Sequence, residues 1–187
     1  MRMAVTAKNV LWMLLACLFP LNAFGGDEQV YKASGLFSVT LPKGFEPLSK
    51  GGPDLGGGFY AWSNGVGQKV EMGIGKGDGS IAIQVLNVAA NSDEKRKSEV
   101  GRYFDRLDKL QKIHGKFKVV ERRRPEKLAD RVYCEVVIQD AKGKKGYYKT
   151  LLVFAKKTFS IQVTGYSQEA VDQLLKTAES GFKVLAK

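Results

Sequence analysis

The side chains able to do acid–base, nucleophilic or metal chemistry are few and scattered. One histidine, His114, and two cysteines, Cys17 and Cys134, occur in 187 residues. No H-x-x-x-H or C-x-x-C spacing joins them, so zinc, haem attachment and any other cofactor are not expected. His114 falls in Ile113-His114-Gly115 at a predicted helix end, where a cation complements the helix dipole. Ser63, in Ala61-Trp62-Ser63-Asn64-Gly65, approximates a nucleophile elbow with alanine in the first glycine position. That motif turns directly into a helix, whereas Val66 to Lys69 leads towards another strand. Ser92 with Lys95, and Ser180 with Lys183, match S-x-x-K without the companion S-D-N and K-T-G elements, and Ser92 reads better as part of a helix start.

Glycines offer a second kind of chemistry, the cradling of phosphate. Gly73, Gly75, Gly77 and Gly79 alternate in MGIGKGDGS, yet no G-x-G-x-x-G or P-loop pattern fits them or Gly56 to Gly58. With Val70, Met72 and Ile74 facing inward, the glycines suit close backbone approach and a hairpin turn at Gly77-Asp78-Gly79. A cofactor cradle is the weaker alternative.

Positive charge is the third resource. The chain carries 30 Lys and Arg against 19 Asp and Glu, a net charge of +11. Such an excess favours an acidic protein or an anionic surface as partner. Arg122, Arg123 and Arg124, with Lys127 close behind, and Lys156 and Lys157 fall in two connections that an antiparallel meander places at one end of a sheet. Lys142, Lys144 and Lys145 fall at the other end with Lys112 and Lys116. A nucleic-acid groove needs a continuous basic stripe with aromatic platforms, so nucleic acid is not expected. The cluster Arg122, Arg123, Arg124, Lys156 and Lys157 is the candidate partner-binding site.

The N-terminus bears on compartment. Arg2 and Lys8 precede an apolar run from Val10 to Phe19 that is too short to span a bilayer, and no acid appears before Asp27. Residues 1–25 therefore read as an export signal, and residues 26–187 as a single domain with no transmembrane segment. Ala23-Phe24-Gly25 is a small-x-small site that predicts cleavage after Gly25 and a periplasmic or secreted protein. The alternative is Leu14-Leu15-Ala16-Cys17, with a lipid anchor on Cys17. Loss of residues 1–25 removes two bases and no acid, leaving a net charge of about +9. It also leaves Cys134 alone, in a strand whose inward face it shares with Val132, Val136 and Ile138, the pattern of a buried thiol.

The elements that would position these residues follow from periodicity. Phe37, Val39 and Leu41 alternate with Ser38 and Thr40 in a half-buried strand closed by Pro42. A loop, Lys43 to Gly58, leads to strands at Phe59 to Ser63, Lys69 to Gly75 and Ile81 to Val88. Val100, Phe104, Leu107 and Leu110 then mark one stripe of a helix over Asn91 to Ile113, with Tyr103 beside them. Asn91 with Glu94 resembles a capping box, and Asp105 with Lys109 and Asp108 with Lys112 are i,i+4 pairs. Four strands follow in a meander: Phe117 to Arg123, Val132 to Gln139, Tyr147 to Ala155 and Thr158 to Thr164. A second helix, Gln168 to Ser180, has Ser167 as N-cap and Val171, Leu174, Leu175 and Ala178 as its apolar face. Gly181 stops it, and Phe182 tucks back onto the core. The fold class is α+β, a largely antiparallel sheet covered by two main helices.

An opening GLFSVTLPKGF, a glycine-rich excursion, strands, a helix, a meander ending FSIQVTGYS and a closing helix with SGFKVL together resemble the PsbP-like fold family, which includes DcrB-like bacterial envelope proteins. The resemblance implies a binding or assembly role and carries over no catalytic motif. The leading expectation is an exported, non-catalytic envelope protein that binds or assembles another component. An enzyme of hydrolase type, using Ser63 or a loop carboxylate, and a peripheral binder of anionic lipid or polysaccharide are the alternatives.

Overall fold

The computed structural model describes residues 29–50, 52–64, 79–114 and 117–185. The expected export signal, the strand expected at Lys69 to Gly75, most of the alternating glycines and the side chains of Leu110 and His114 lie outside the described residues. The chain begins with strands β1 (Gln29–Ala33), β2 (Phe37–Leu41), β3 (Glu46–Pro47), β4 (Phe59–Ser63) and β5 (Ser80–Leu86). Helix α1 (Asp93–His114) follows, then β6 (Phe117–Arg123), β7 (Arg131–Asp140), β8 (Lys145–Phe154) and β9 (Thr158–Gly165). Helix α2 (Gln168–Gly181) and β10 (Lys183–Val184) complete the chain. The strands form a three-stranded sheet, β1-β2-β10, and a seven-stranded sheet, β3-β4-β5-β9-β8-β7-β6. Every pairing is antiparallel, so the α+β class and the four-strand meander stand as the sequence predicts.

Alternation along the strands divides the interior into two cores on opposite faces of the large sheet. Trp62, Ile81, Ile83, Leu151, Val153, Phe159, Ile161 and Val163 face one way and meet α2 and the small sheet. Val132, Cys134, Val136, Ile138, Tyr148, Leu152 and Phe154 face the other way and meet α1. Strand β8 thus serves both cores, as its nearly continuous burial from Thr150 to Phe154 shows. The α2 face is the predicted one, Val171, Leu174, Leu175 and Ala178, and the Ser167 hydroxyl accepts the Ala170 N–H at its start.

Four local readings change. The α1 cap is Ser92, whose hydroxyl accepts the Lys95 N–H and whose carbonyl accepts the Arg96 N–H. Asn91 lies one residue too early and takes the Lys95 ammonium on Oδ1. Asp108 pairs with Arg122 across to β6 rather than with Lys112. Ser38 on β2 is buried, because β2 is the central strand of its sheet and α2 ends against it. Gly181 lies inside the end of α2 and is not among the glycines with positive φ, so close packing, not a left-handed turn, explains it.

Cys134 is fully buried among the residues expected. Burial pushes its thiol up to about 12, against a smaller downward pull from the Arg124 guanidinium. A thiol reagent should therefore modify native protein at least on the order of a hundredfold more slowly than urea-unfolded protein, because thiolate is scarce and attack requires opening of the α1 face. Stopped-flow labelling at neutral pH checks this, and equal rates would contradict the β7 register.

Candidate functional site

Strand β6 ends the seven-stranded sheet, and its sequence FKVVERR is exposed at five of seven positions. The pairing slips by one residue between Val119 and Glu121, leaving Val120 bulged out and 43% exposed. Beyond the bulge the register is regular, with Glu121 opposite Val137, Arg122 opposite Val136 and Arg123 opposite Glu135. Arg122 therefore lies on the α1 face and Arg123 on the α2 face.

Each arginine of the predicted cluster meets a different partner. Arg122 forks onto Asp108 of α1, one arm at 3.2 Å and the other shorter. Arg123 donates to Glu121 at 2.8 Å and approaches Glu135 at 3.6 Å. Arg124 stacks its guanidinium 4.8 Å from the centre of the Phe104 ring and faces no carboxylate among the described residues. The meander does put the β6–β7 and β8–β9 connections at one end. Register separates them: Arg123 shares a row with Glu135 and Lys149, whereas the Lys156-Lys157 turn lies beyond Phe154, five residues further along β8. That is roughly 17 Å along the strand before two strand spacings are added. Lys156 and Lys157 do not adjoin the arginines.

The structure supplies instead a ladder of alternating charge on the α2 face. Arg123 meets Glu135, Glu135 meets Lys149 at 3.0 Å, and Lys149 closes onto Asp172 of α2. Partial burial alone would lower the Lys149 pKa, but its bonds to Asp172 and Glu135 outweigh that and hold it raised. Further along the helix Glu179 accepts from the Tyr133 hydroxyl at 2.6 Å and lies 3.5 Å from Arg131. Burial and then the Glu179 carboxylate push the Tyr133 phenol up to about 12. The groove over Glu121, Arg123, Tyr147 and Gln168 offers only about 20 Å³ to water-sized occupants, room for about one water. It is a shallow groove, not a cavity for a small organic substrate. Glu135, Lys149 and Asp172 escaped the sequence reading because their proximity depends on strand register and on where α2 lands.

Ser63 is placed for structure. It is 1% exposed and donates to the Gly79 carbonyl at 3.2 Å, while the Gly79 N–H donates to Asn64. The glycine-rich loop also has a definite structural use. Leu48 N–H donates to the Ala61 carbonyl, Ala61 N–H to the Pro53 carbonyl, and Leu55 N–H to the Phe59 carbonyl, so the loop consumes the outer hydrogen-bonding groups of β4. Among the described residues no three His, Cys, Asp or Glu side chains converge on a common point that could hold a metal ion.

No family model and no curated protein matches the sequence. Solved structures do. The Ran-binding protein Mog1p of Saccharomyces cerevisiae aligns over 86% of this chain and 96% of its own, at 14% identity and a TM-score of 0.53. The cyanobacterial PsbP, CyanoP, of Synechocystis aligns over 90% of this chain and 99% of its own, at 11% identity and a TM-score of 0.50. The two alignments run over most of each chain, and the protein, with one helix on each face of its larger sheet, has the PsbP-like fold.

Proposed function

We propose that the protein is an exported, non-catalytic binding or assembly protein of the bacterial cell envelope, of the DcrB-like kind, and that it recognises an acidic protein partner. The observation that carries this reading is the fold shared with Mog1p, a protein named for binding Ran. The excess of bases supports an acidic partner, and the apolar run behind Arg2 and Lys8 supports export. Release after Gly25 into the periplasm or medium is the favoured outcome, with a lipid anchor on Cys17 as the competing one.

Cross-linking in the native envelope, with identification of the captured protein, tests the role. Capture of a specific acidic protein is expected, weakening as salt screens the charges over roughly 8 Å. Because the two halves of the basic cluster lie apart, Arg122→Gln with Arg123→Gln should reduce capture while Lys156→Gln with Lys157→Gln should not. Substrate turnover abolished by one substitution would overturn the non-catalytic role. Intact mass of protein from its native host tests release: an N-terminus near Gly26 is expected, and an acylated Cys17 would overturn it.

A further inference from the structure

The two edges of the seven-stranded sheet are treated differently. At one end the terminal strand, β3, is only two residues long, and the glycine-rich loop takes up the outer hydrogen-bonding groups of β4 beside it. Among the described residues the β6 edge is bare: β7 is its only strand partner, and no loop exchanges a backbone hydrogen bond with its outer side. Alternate residues of an edge strand point N–H and C=O groups away from the sheet, a template for another strand.

We propose that the β6 edge accepts an extended acidic segment of a partner protein as an eighth strand. This rests on the binding role proposed above and names the partner's chemistry. Backbone complementarity calls for an extended chain, and charge selects among such chains. Strand β6 carries Lys118, Arg122 and Arg123 against Glu121, with Arg124 following directly. A second copy of the same edge is disfavoured in the register that pairs the most residues of β6, with Val120 opposite Glu121, because Lys118 then faces Arg123 of the other copy twice and like charges directly opposite are destabilising. A basic strand is excluded in the same way, and a long neutral one meets the bulge at Val120. These features protect an edge against indiscriminate pairing. They leave one class of strand favoured, with carboxylates on the α2 face towards Lys118 and Arg123 and an apolar residue near Val120. Specificity then comes from repulsion of the wrong strands as much as from attraction of the right one.

The probe is a short capped peptide alternating glutamate with valine and threonine, titrated into the full chain and followed by backbone amide shifts and hydrogen exchange. Saturable binding is expected, with new protection at β6 amides and affinity falling with salt. A peptide of the same side chains, N-methylated at the amides of one edge, should bind on the order of tenfold or more weakly, since several backbone bonds are lost. A lysine-for-glutamate peptide should bind weakly too, as should the acidic peptide to Lys118→Glu protein. Equal binding of the N-methylated peptide would overturn strand addition, and equal binding of the lysine peptide would overturn the acidic partner. No detectable binding, or protection away from β6, would overturn the site. If envelope capture persists in Lys118→Glu protein at wild-type strength, the binding role stands and the β6 edge is the wrong place for it.

Discussion

Replacing Phe37 with alanine is expected to destabilise the protein by about 3–5 kcal/mol, the range for deleting a buried aromatic ring that its neighbours cannot refill. Phe37 is fully buried and occupies the junction of the two sheets and the C-terminal segment. Its ring stacks on Phe182 at 5.7 Å and meets Tyr60 edge-on at 5.1 Å and Phe159 at 6.3 Å. Tyr60 comes from β4, Phe159 from β9 and Phe182 from the end of α2, so one side chain joins four segments distant in sequence. Because that void is bordered by two sheets with fixed hydrogen bonds, collapse is limited and the cost should lie towards the upper end. Thermal melting should show a fall of roughly 6–20 °C for a domain of this size. Urea unfolding supplies the free energy, and Phe37→Leu, which keeps most of the volume, should lose well under half as much. A loss below about 1 kcal/mol, the level of an ordinary surface change, would mean that the small sheet is not docked through Phe37.

The surface should behave differently from this interior. Arg122 and Arg123 are partly exposed and each already holds a carboxylate. Exposed pairs of this kind contribute about 0–1 kcal/mol. Neutralising them should alter association far more than folding, which is what allows the β6 edge to be tested without unfolding the molecule. The charge ladder beside α2 fits the same division. Glu135, Lys149 and Asp172 satisfy one another on the molecule's own surface, leaving unpaired backbone along β6 and the charges at its ends to meet a partner.

Elements with a strong period were legible in the sequence, and their mutual placement was not. The α2 stripe at Val171, Leu174, Leu175 and Ala178 could be read because 3.6-residue spacing alone fixes which side is apolar. Alternation likewise put Cys134 indoors. Ser38 was misjudged because alternation distinguishes a buried face from an open one only when the second face stays open, and nothing in FSVTL reports the arrival of α2. The five bases illustrate a finer limit. Connection order gives the correct end of the sheet, but the length by which β8 overshoots β6 appears only in the register. The charge ladder was missed for the same reason, since Glu135 and Lys149 are 14 positions apart in sequence and paired across the sheet.

Gly181 poses this problem most sharply, because local and tertiary physics predict opposite signs for one methyl group. Its backbone is in no conformation that requires glycine, so intrinsic propensity says that alanine should stabilise the end of α2 by up to about 1 kcal/mol. The packing says the reverse. A Cβ on Gly181 would fall within the Thr40 side chain, inside contact distance of both Cβ and Oγ1, and 2.8 Å from the Thr40 nitrogen. Thr40 lies opposite Val30 in the β1–β2 ladder of the small sheet, so the strand has little freedom to yield. The helix end must lift, drawing Phe182 off Phe37 and Phe159. Overpacking costs about 1–3 kcal/mol, occasionally more, and the coupled loss of aromatic contact places Gly181→Ala near 3 kcal/mol. Gly101 provides the control: it lies within α1 with nothing in reach of an added Cβ, so Gly101→Ala should be neutral or stabilising by up to about 1 kcal/mol. Thr40→Ala should not rescue Gly181→Ala, since it removes Oγ1 but leaves the offending Cβ and nitrogen in place. Urea unfolding of the four proteins decides the matter. A Gly181→Ala protein as stable as wild type would show that α2 does not approach β2 this closely, and the docking of the whole C-terminal segment would then have to be redrawn.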